Sequence, residues 1–438
     1  MSVSTKHLTP ERLKIIGETA PAVAEKVIDG TIPHRFYEKM LGENPELRAF
    51  FNMSHHLSNV ALLKKARLSQ PATLATAAPN QEAAFGQSMF SSGQTQEQVL
   101  AKSVVAAVEN LQNLEEIMGP AQRIVHRHCA LGILPEHYHH VHDNFLAATA
   151  DVLGDAVTPA VADAWSGALL HVSEVFIEQE KALYDQTTAM QSNWDTREPA
   201  EFVVRDVERA ASHMTSLYLE RADGSPPPIY QPGQHITLCE NPTDEQYFAP
   251  RHYTIAAPAP IGNAIRICVR HLQGGDDKPA GLMSTFVNTA VNAGNKLKLR
   301  PPFGGFSADL ATPFEQVAWV TAGAGITTAL ATIEPMAEAG KRVVHWHADK
   351  DEASVAHVGE LSEAPLHASL RYSGGRQSFS VDELAAQLAG SGVDVMDSKT
   401  AIFVCCPPLM ILAVRNGLQQ KGVPLDRIFY EAYGPLAN

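Results

Sequence analysis

The fold class is decided by residues 316–349, which read QVAWVTAGAGITTALATIEPMAEAGKRVVHWHAD. An apolar run is followed by a glycine turn, a stretch long enough for a helix and a second β-branched run. This order is typical of a strand, a helix and a parallel strand. Residues 317–333 are uncharged and reach the lower length limit of a membrane helix, roughly 17 residues. Glycine and threonine at their centre favour a buried strand, a turn and the start of a helix instead.

Two further segments continue this pattern towards the C-terminus. IFVCC at 402–406 is typical of a buried strand, and PLMILAVRNGLQQKG at 408–422 is typical of a helix. The sequence therefore predicts an α/β doubly wound domain over residues 314–438.

Upstream of the α/β domain, the periodicity changes to that of antiparallel strands. In IRICVRH, at 265–271, Ile265, Ile267 and Val269 face one way while Arg266, Cys268 and Arg270 face the other. Pro- and Gly-rich turns punctuate the region. We expect an antiparallel β-barrel domain over residues 197–308.

The N-terminal region has apolar residues at three- and four-residue spacing, with no strand pattern. It predicts an all-α domain over residues 1–185. Residues 57–93 interrupt it and are rich in Ala, Gln, Ser and Pro, a composition typical of a solvated insertion. The expected order is all-α, then antiparallel β, then α/β.

Composition narrows the classes of function. The 438 residues contain 34 Lys and Arg against 48 Asp and Glu, so the net charge is −14. An acidic chain lacks the basic face that nucleic-acid binding requires. The five cysteines form no CxxC pair, and the N-terminus lacks the apolar core of a signal peptide. We expect a cytoplasmic protein with no integral membrane segment, and a monomer or weak oligomer.

Six histidines lie between His126 and His142. One imidazole on iron inside an apolar pocket is what haem binding needs. A solvated helix-loop-helix is the alternative, because surface histidines are common.

Three blocks of the α region carry a family resemblance: HRFYEKMLGENPELRAFFNMS at 34–54, HRHCALGILPEHYHHV at 126–141 and VFIEQEKALY at 175–184. With them, the sequence resembles the flavohaemoglobins, in which a globin is fused to a ferredoxin-reductase-like FAD and NAD(P)H module. The resemblance covers almost the whole chain, and it implies three cofactors: haem b, FAD and NAD(P)H.

The resemblance assigns roles in the globin. It implies that His128 is the proximal ligand of the haem iron, with Tyr138 and Glu180 as its partners. The residues that it places on the distal side or against the haem are Tyr37, Phe51, Gln96 and Leu100. The predicted insertion lies directly before the helix of Gln96, so His55 or His56 is an alternative second distal group.

The resemblance assigns the flavin site to RHYTIAAP at 251–258 and GLMSTF at 281–286. Arg251 suits the FAD phosphates, Tyr253 suits packing on the flavin, and the hydroxyl of Thr254 suits a hydrogen bond at the reactive ring edge. A helix N-terminus is expected to bind the pyrophosphate through Gly281, Ser284 and Thr285. His235 stands where the family usually has Tyr.

The pyridine-nucleotide site is assigned to TAGAGIT at 321–327, where Gly323, Gly325 and Thr327 follow a strand and open a helix. Cys406 replaces a usual glycine and is expected to narrow the approach of the nicotinamide. Tyr433 would cover the flavin. The choice between NADH and NADPH stays open, because Asp349, Lys350 and Asp351 are mixed in charge.

The resemblance implies a nitric oxide dioxygenase: NAD(P)H reduces FAD, FAD reduces the haem iron, and oxygen-bound haem converts nitric oxide to nitrate. One alternative is a haem-based gas sensor or binding protein with a degenerate reductase. Another is a general NAD(P)H flavin reductase of quinones, ferric chelates or hydroperoxides.

Overall fold

The computed structural model describes residues 6–50, 103–108, 110–112, 114–191, 194–242, 250–275, 280–363, 367–372 and 380–433. The chain divides into two compact units, residues 1–185 and residues 186–437.

The described part of the first unit consists of helices joined by turns and loops and contains no strand. Its 3-10 helices are Pro45–Phe50 and Gly154–Ala156, residues 103–108 are also helical, and its α-helices are α1 (Pro10–Ile28), α2 (Thr31–Glu43), α3 (Leu114–Leu131), α4 (Pro135–Leu153) and α5 (Pro159–Met190). The backbone N–H of Arg12 donates to the hydroxyl of Thr9, which caps α1. Gly132, with φ of 82°, separates α3 from α4, because a left-handed residue ends a helix. The all-α prediction is confirmed.

Among the described residues, α5 is the one helix long and apolar enough to cross a membrane by length and composition. It contributes Trp165, Ala168 and Leu169 to the core of the first unit. It also contains the buried carboxyl group of Glu180. These features are those of a core helix.

The second unit begins with a six-stranded antiparallel sheet in the order β4-β3-β6-β1-β2-β5. Its strands are β1 (Ala200–Ala211), β2 (Met214–Arg221), β3 (His235–Leu238), β4 (Arg251–Thr254), β5 (Ile265–Arg270) and β6 (Lys296–Phe303). An isolated bridge between Ile255 and Ile267 joins the end of β4 to β5, the two edges of the sheet. The predicted antiparallel β-barrel is confirmed, and helix α6 (Leu282–Thr289) belongs to it.

The two faces of β5 divide as the alternation predicts. Ile265, Ile267 and Val269 lie in the barrel core. Cys268 on the other face packs with residues of the following α/β part, among them Trp319. Strand β5 therefore faces the barrel core on one side and the α/β part on the other.

The α/β part is a parallel five-stranded sheet in the order β11-β10-β7-β8-β9. Its strands are β7 (Gln316–Ala322), β8 (Arg342–Asp349), β9 (His367–Tyr372), β10 (Thr400–Cys405) and β11 (Ile428–Glu431), and its helices are α7 (Ile326–Glu338), α8 (Val358–Glu363), α9 (Val381–Gly390) and α10 (Pro408–Gln420). The strand, turn and helix predicted for residues 316–338 are confirmed.

The strand order reverses between β7 and β10. In open α/β sheets, ligands bind in the crevice at the carboxyl ends of the strands at such a reversal. The turn Gly323–Gly325 follows β7 at this edge, and Cys406 follows β10. The topology thus marks this edge as a ligand-binding site.

Candidate functional site

Three helices of the first unit bring His128, Tyr138 and Glu180 together. Nδ1 of His128, in the last turn of α3, lies 2.7 Å from Oε1 of Glu180 and 3.1 Å from the hydroxyl oxygen of Tyr138. The Tyr138 hydroxyl donates to the same carboxylate oxygen at 2.5 Å. Burial, and then the negative charge of Glu180, raise the pKa of Tyr138 well above its usual value. The phenol therefore stays protonated and keeps its hydrogen bond.

This arrangement fixes the tautomer of the imidazole. A carboxylate only accepts hydrogen bonds, so the proton of His128 lies on Nδ1 and Nε2 presents a lone pair. Glu180 is buried, whereas His128 is partly exposed. A partly exposed imidazole whose Nδ1–H donates to a buried carboxylate is the kind of ligand that a haem iron or another transition metal binds through Nε2.

The remaining globin predictions have different outcomes. Tyr37, on α2, is 2 % exposed, and its ring packs edge-on against Phe36, with centroids 5.2 Å apart. It lies in the helical core, and its distal role stays a prediction. The other residues assigned to this pocket lie outside the described residues: Phe51, Gln96, Leu100 and the alternatives His55 and His56.

Two of the other histidines have local partners. Nδ1 of His137 accepts the backbone N–H of Leu134 at 2.8 Å and so caps α4, and its ring contacts Phe50. Nε2 of His142 lies 2.9 Å from the hydroxyl of Ser166. No cluster of three potential metal ligands occurs within the part of the chain that the structure describes. His128 is therefore distinguished by its Glu180 bond rather than by its histidine neighbours.

In the barrel, the flavin candidates lie on the paired strands β3 and β4. His235 pairs with Thr254, and Leu238 pairs with Arg251. His252, which the sequence reasoning did not single out, packs its ring 4.7 Å from that of His235 and lies 2.7 Å from the Thr237 hydroxyl. The signal for it was its place in RHYT, between two assigned residues.

At α6, the assigned residues mainly stabilise the start of the helix. Ser284 donates to the carbonyl of Gly281 at 2.9 Å and accepts the backbone N–H of Leu272 at 3.2 Å. A Cβ on Gly281 would come within 2.6 Å of the Ser284 hydroxyl oxygen, so Ser284 would have to turn away from its two hydrogen bonds. Thr285 lies 3.3 Å from Nε2 of His271.

The glycine turn after β7 makes two close approaches. Gly323 has φ of 56°, and a Cβ there would collide with the guanidinium of Arg270 on β5. A Cβ on Gly325 would collide with the carbonyl of Cys405. Arg270 was not assigned from the sequence, although the alternation in IRICVRH placed it on this face of the barrel.

Thr254, Thr327 and Tyr433 meet although they are far apart in the sequence. The Tyr433 hydroxyl forms a short hydrogen bond with the Thr254 hydroxyl, and it lies 3.2 Å from the Thr327 hydroxyl. The barrel, the helix after the glycine turn and the C-terminal segment therefore share one polar contact. The structure thus brings together two residues that the sequence assigned to the flavin and one that it assigned to the pyridine nucleotide, and both assignments stay predictions.

The adjacent cysteines are buried, and none of the five cysteines, all of which lie in the described part of the chain, forms a disulfide. Sγ of Cys406 lies 3.5 Å from the carbonyl of Val320, within the sheet. Burial raises the pKa of both Cys405 and Cys406. The thiol of Cys406 is directed at the backbone of β7, and the predicted narrowing of the nicotinamide approach stays a prediction.

At the carboxyl end of β8, a buried polar chain was missed by sequence reasoning. The Thr321 hydroxyl lies 2.7 Å from both Nε2 of His345 and Nδ1 of His347. Nε2 of His347 lies 3.7 Å from the carboxylate of Asp349. Burial would raise the pKa of Asp349, but the contact with His347 and the backbone N–H of Lys350 lower it, so the carboxylate is charged. The alternating histidines in VHWHAD were the available signal.

Fold and sites define a class: a globin followed by a ferredoxin-reductase-like FAD- and NAD-binding part. A globin family model matches residues 72–176. The chain is 30 % identical to flavohemoprotein A of Dictyostelium discoideum over 98 % of its own length and 99 % of that protein. It is 28 % identical to the flavohemoprotein of Halalkalibacterium halodurans, over 99 % of its own length and 98 % of that protein.

A solved structure agrees in fold. The flavohemoglobin of Malassezia yamatoensis, crystallised with bound FAD and heme, covers 98 % of this chain and 100 % of its own. The TM-score is 0.74 at 22 % identity. The chain belongs to the flavohaemoprotein family.

Proposed function

We propose that this protein is an NAD(P)H-dependent nitric oxide dioxygenase. The observation that carries the proposal is the bond between Glu180 and Nδ1 of His128. A carboxylate on the far nitrogen increases the basicity of the imidazole and its donation of electron density to iron. Storage of oxygen needs no such donation, whereas turning dioxygen into an oxidant does.

The donor set of the first unit fits haem b. His128 would hold the iron through Nε2, because Nδ1 is engaged by Glu180 and Tyr138. Tyr138 keeps the carboxylate in place by donating its phenolic hydrogen. In this proposal Tyr37 is the distal hydrogen-bond donor to the diatomic substrate.

The second unit fits FAD and a pyridine nucleotide. Gly323 and Gly325 let the turn after β7 pack closely against Arg270 and the carbonyl of Cys405. The backbone of this turn lies at the carboxyl end of β7, where a dinucleotide binds in sheets of this kind. Thr254 would donate at the reactive edge of the flavin, with Tyr433 beside it. Arg251, at the start of β4, would bind the FAD phosphates.

When bound, FAD would supply the conversion of a two-electron hydride from NAD(P)H into single electrons. Haem would supply the iron chemistry by which nitric oxide, dioxygen and one electron give nitrate. The chain orients both groups and excludes water from the Thr254 and Glu180 contacts. We place this activity in the cytoplasm, in a monomer or weak oligomer.

The test is consumption of nitric oxide by purified protein loaded with haem and FAD, with NADH in air. We expect nitrate formation faster than with an equal concentration of free haem. Consumption no faster than free haem would overturn the proposal. Rapid flavin reduction with no consumption of nitric oxide would instead indicate a general flavin reductase.

A further inference from the structure

The outer face of β5 contains a buried cation that the proposed reaction does not use. Arg266 is 2 % exposed, although it lies on the face of β5 that points away from the barrel core. A buried guanidinium needs several well-placed acceptors, because desolvation of a charge is costly. The acceptors of Arg266 therefore show which parts of the protein the guanidinium connects.

Arg266 joins the barrel to helix α8 of the α/β part. Its Nη1 and Nη2 donate to Oε1 and Oε2 of Glu360 at 2.6 and 2.8 Å, and Nε donates to the carbonyl of Ala256 at 3.0 Å. A parallel two-point contact fixes direction as well as distance. Helix α8 therefore has one preferred orientation against β5.

His357 adds a second connection beside the first. Its Nδ1 lies 3.1 Å from Oε1 of Glu360, and its Nε2 lies 2.8 Å from the hydroxyl of Ser216 on β2. Ser216 in turn lies 3.1 Å from Sγ of Cys268. Burial alone would lower the pKa of His357, but hydrogen bonds with Cys268 and Glu360 raise it to about 9. At neutral pH both ring nitrogens are therefore donors.

The backbone at His357 is unusual. Among the described residues it is the one non-glycine residue with positive φ, at 51°. Side-chain-bearing residues adopt this conformation rarely, and it persists where surrounding contacts determine it. Here those contacts are Ser216 and Glu360, one on each side of the boundary between barrel and α/β part.

The order Ser216, His357, Glu360 has the hydrogen-bond sequence of a hydrolase triad. Ser216 has no exposed surface, however, so no substrate can reach its hydroxyl. The group acts on the arrangement of the protein rather than on a substrate.

The position of this group links it to the nucleotide site. His357 and Glu360 follow β8, the neighbour of β7 in the sheet. Arg270, on the same strand as Arg266, packs against Gly323 of the glycine turn. Strand β5 thus contacts both the segment after β8 and the turn after β7.

We propose that Arg266, His357 and Glu360, here called the clasp, are positioning residues for hydride transfer, holding the nucleotide-binding half in register with the flavin half. The proposal rests on the proposed function for its hydride step. It requires no contact between the clasp and the nicotinamide or the flavin.

The experiment is anaerobic stopped-flow reduction of the flavin by NADH in full-length, haem- and FAD-loaded protein. In Glu360→Gln we expect the limiting rate at saturating NADH to fall on the order of tenfold to a hundredfold, as for an ångström-scale misplacement. FAD content, the haem band and the NADH concentration for half-maximal rate should change little. Primary isotope effects with deuterated NADH should persist, because hydride transfer limits the rate.

Two further variants serve as a second test of the clasp and as a control. His357→Asn removes the imidazolium but tolerates positive φ, so it should fold and show a smaller loss of rate. Glu315→Gln, which removes an exposed ion pair with Lys399, is the matched control and should behave as wild type.

A wild-type limiting rate in both clasp variants would overturn the proposal, as would a loss explained entirely by missing FAD. If wild type reduces its flavin rapidly but consumes no nitric oxide, the proposed function is wrong. The proposal for the clasp is then still decided by the limiting rates of the variants. If wild-type flavin is not reduced by NADH, both fail.

Discussion

Two histidine–glutamate pairs of the described residues, His128–Glu180 and His357–Glu360, have opposite burial. In the globin, the Glu180 side chain is 4 % exposed and that of His128 is 28 % exposed. In the reductase, the His357 side chain is 6 % exposed and that of Glu360 is 48 % exposed. In both pairs Nδ1 of the imidazole meets a carboxylate oxygen, at 2.7 and 3.1 Å. The two pairs therefore share the contact at Nδ1 and differ in the surroundings of the other ring nitrogen, Nε2.

The second ring nitrogen separates their roles. Nε2 of His357 is engaged by Ser216, so the ring is fully used in holding two parts of the reductase together. In His128, Tyr138 and Glu180 both lie at Nδ1, so Nε2 is the atom that we propose as the haem ligand. A carboxylate beside a histidine thus indicates ligation only when the opposite nitrogen faces a site.

The largest expected effect comes from removing the imidazole of His128. His128→Ala should abolish stoichiometric haem binding, because the chain loses the donor that Glu180 orients. The measurement is the ratio of haem to protein from the absorption spectrum after reconstitution. His139→Ala, at an exposed position on the neighbouring helix, should bind haem as wild type does. Full haem content in His128→Ala would assign the proximal ligand elsewhere.

Removing only the carboxylate charge should have a smaller effect. Glu180→Gln is expected to lower nitric oxide consumption by about tenfold to a hundredfold, the usual cost of losing the partner of a metal-bound histidine. Haem content should remain, and NADH should still reduce the flavin. Glu178→Gln, exposed on the same helix, is the control. An equal loss of nitric oxide consumption in both variants would show that Glu180 has no specific role.

The smallest effect is the pH dependence of the clasp. The pKa of His357 is raised from 6.5 to about 9, with Arg266, Glu360 and Cys268 as the ionisable groups around it. Its stabilisation is therefore complete below about pH 6.5 and is lost as the pH rises through 9, by ~3 kcal/mol at most. Ion pairing with Arg266 and His357 outweighs burial and lowers the pKa of Glu360 to about 2, so its contribution is complete above about pH 4.5 and is lost near pH 2.

Calorimetry can measure this dependence. The difference in Tm between wild type and His357→Asn should be largest near pH 5 to 6.5 and shrink above pH 9, in the reductase transition only. The globin transition is the internal reference. A difference independent of pH would show that His357 is held by packing and not by charge.

The fold could be predicted because its signals are local. In residues 316–349, the apolar runs and the glycines coincide with the strands, the turn and the helix. The parallel pairing of β7 with β8 is expected because a helix connects them. The alternation in IRICVRH likewise predicted which face of β5 enters the barrel. Such patterns span fewer residues than one structural unit.

The sites depend on contacts between distant residues. Glu180 is 52 positions from His128, and Glu360 is 94 from Arg266. No spacing rule joins residues on different helices or different halves of a unit, so the first pair followed only from family resemblance and the second was missed. The positive φ of His357 could not be predicted from the sequence either, because glycine is the residue type that indicates this conformation.

Histidine density was an indirect guide to the haem site. The cluster from His126 to His142 contains His128, yet His137 caps a helix and His142 bonds to Ser166. What distinguishes His128, the ligand that we propose, is its contact with the buried carboxylate of Glu180, which lies on another helix.

The most direct test of the account is one absorption spectrum of the full-length protein, recorded before and after anaerobic addition of NADH. We expect a haem band and a flavin shoulder at the start, bleaching of the flavin, and then a shift of the haem band to its ferrous position. A haem band that stays unchanged after the flavin bleaches, or a protein that binds only one of the two groups, would contradict the account.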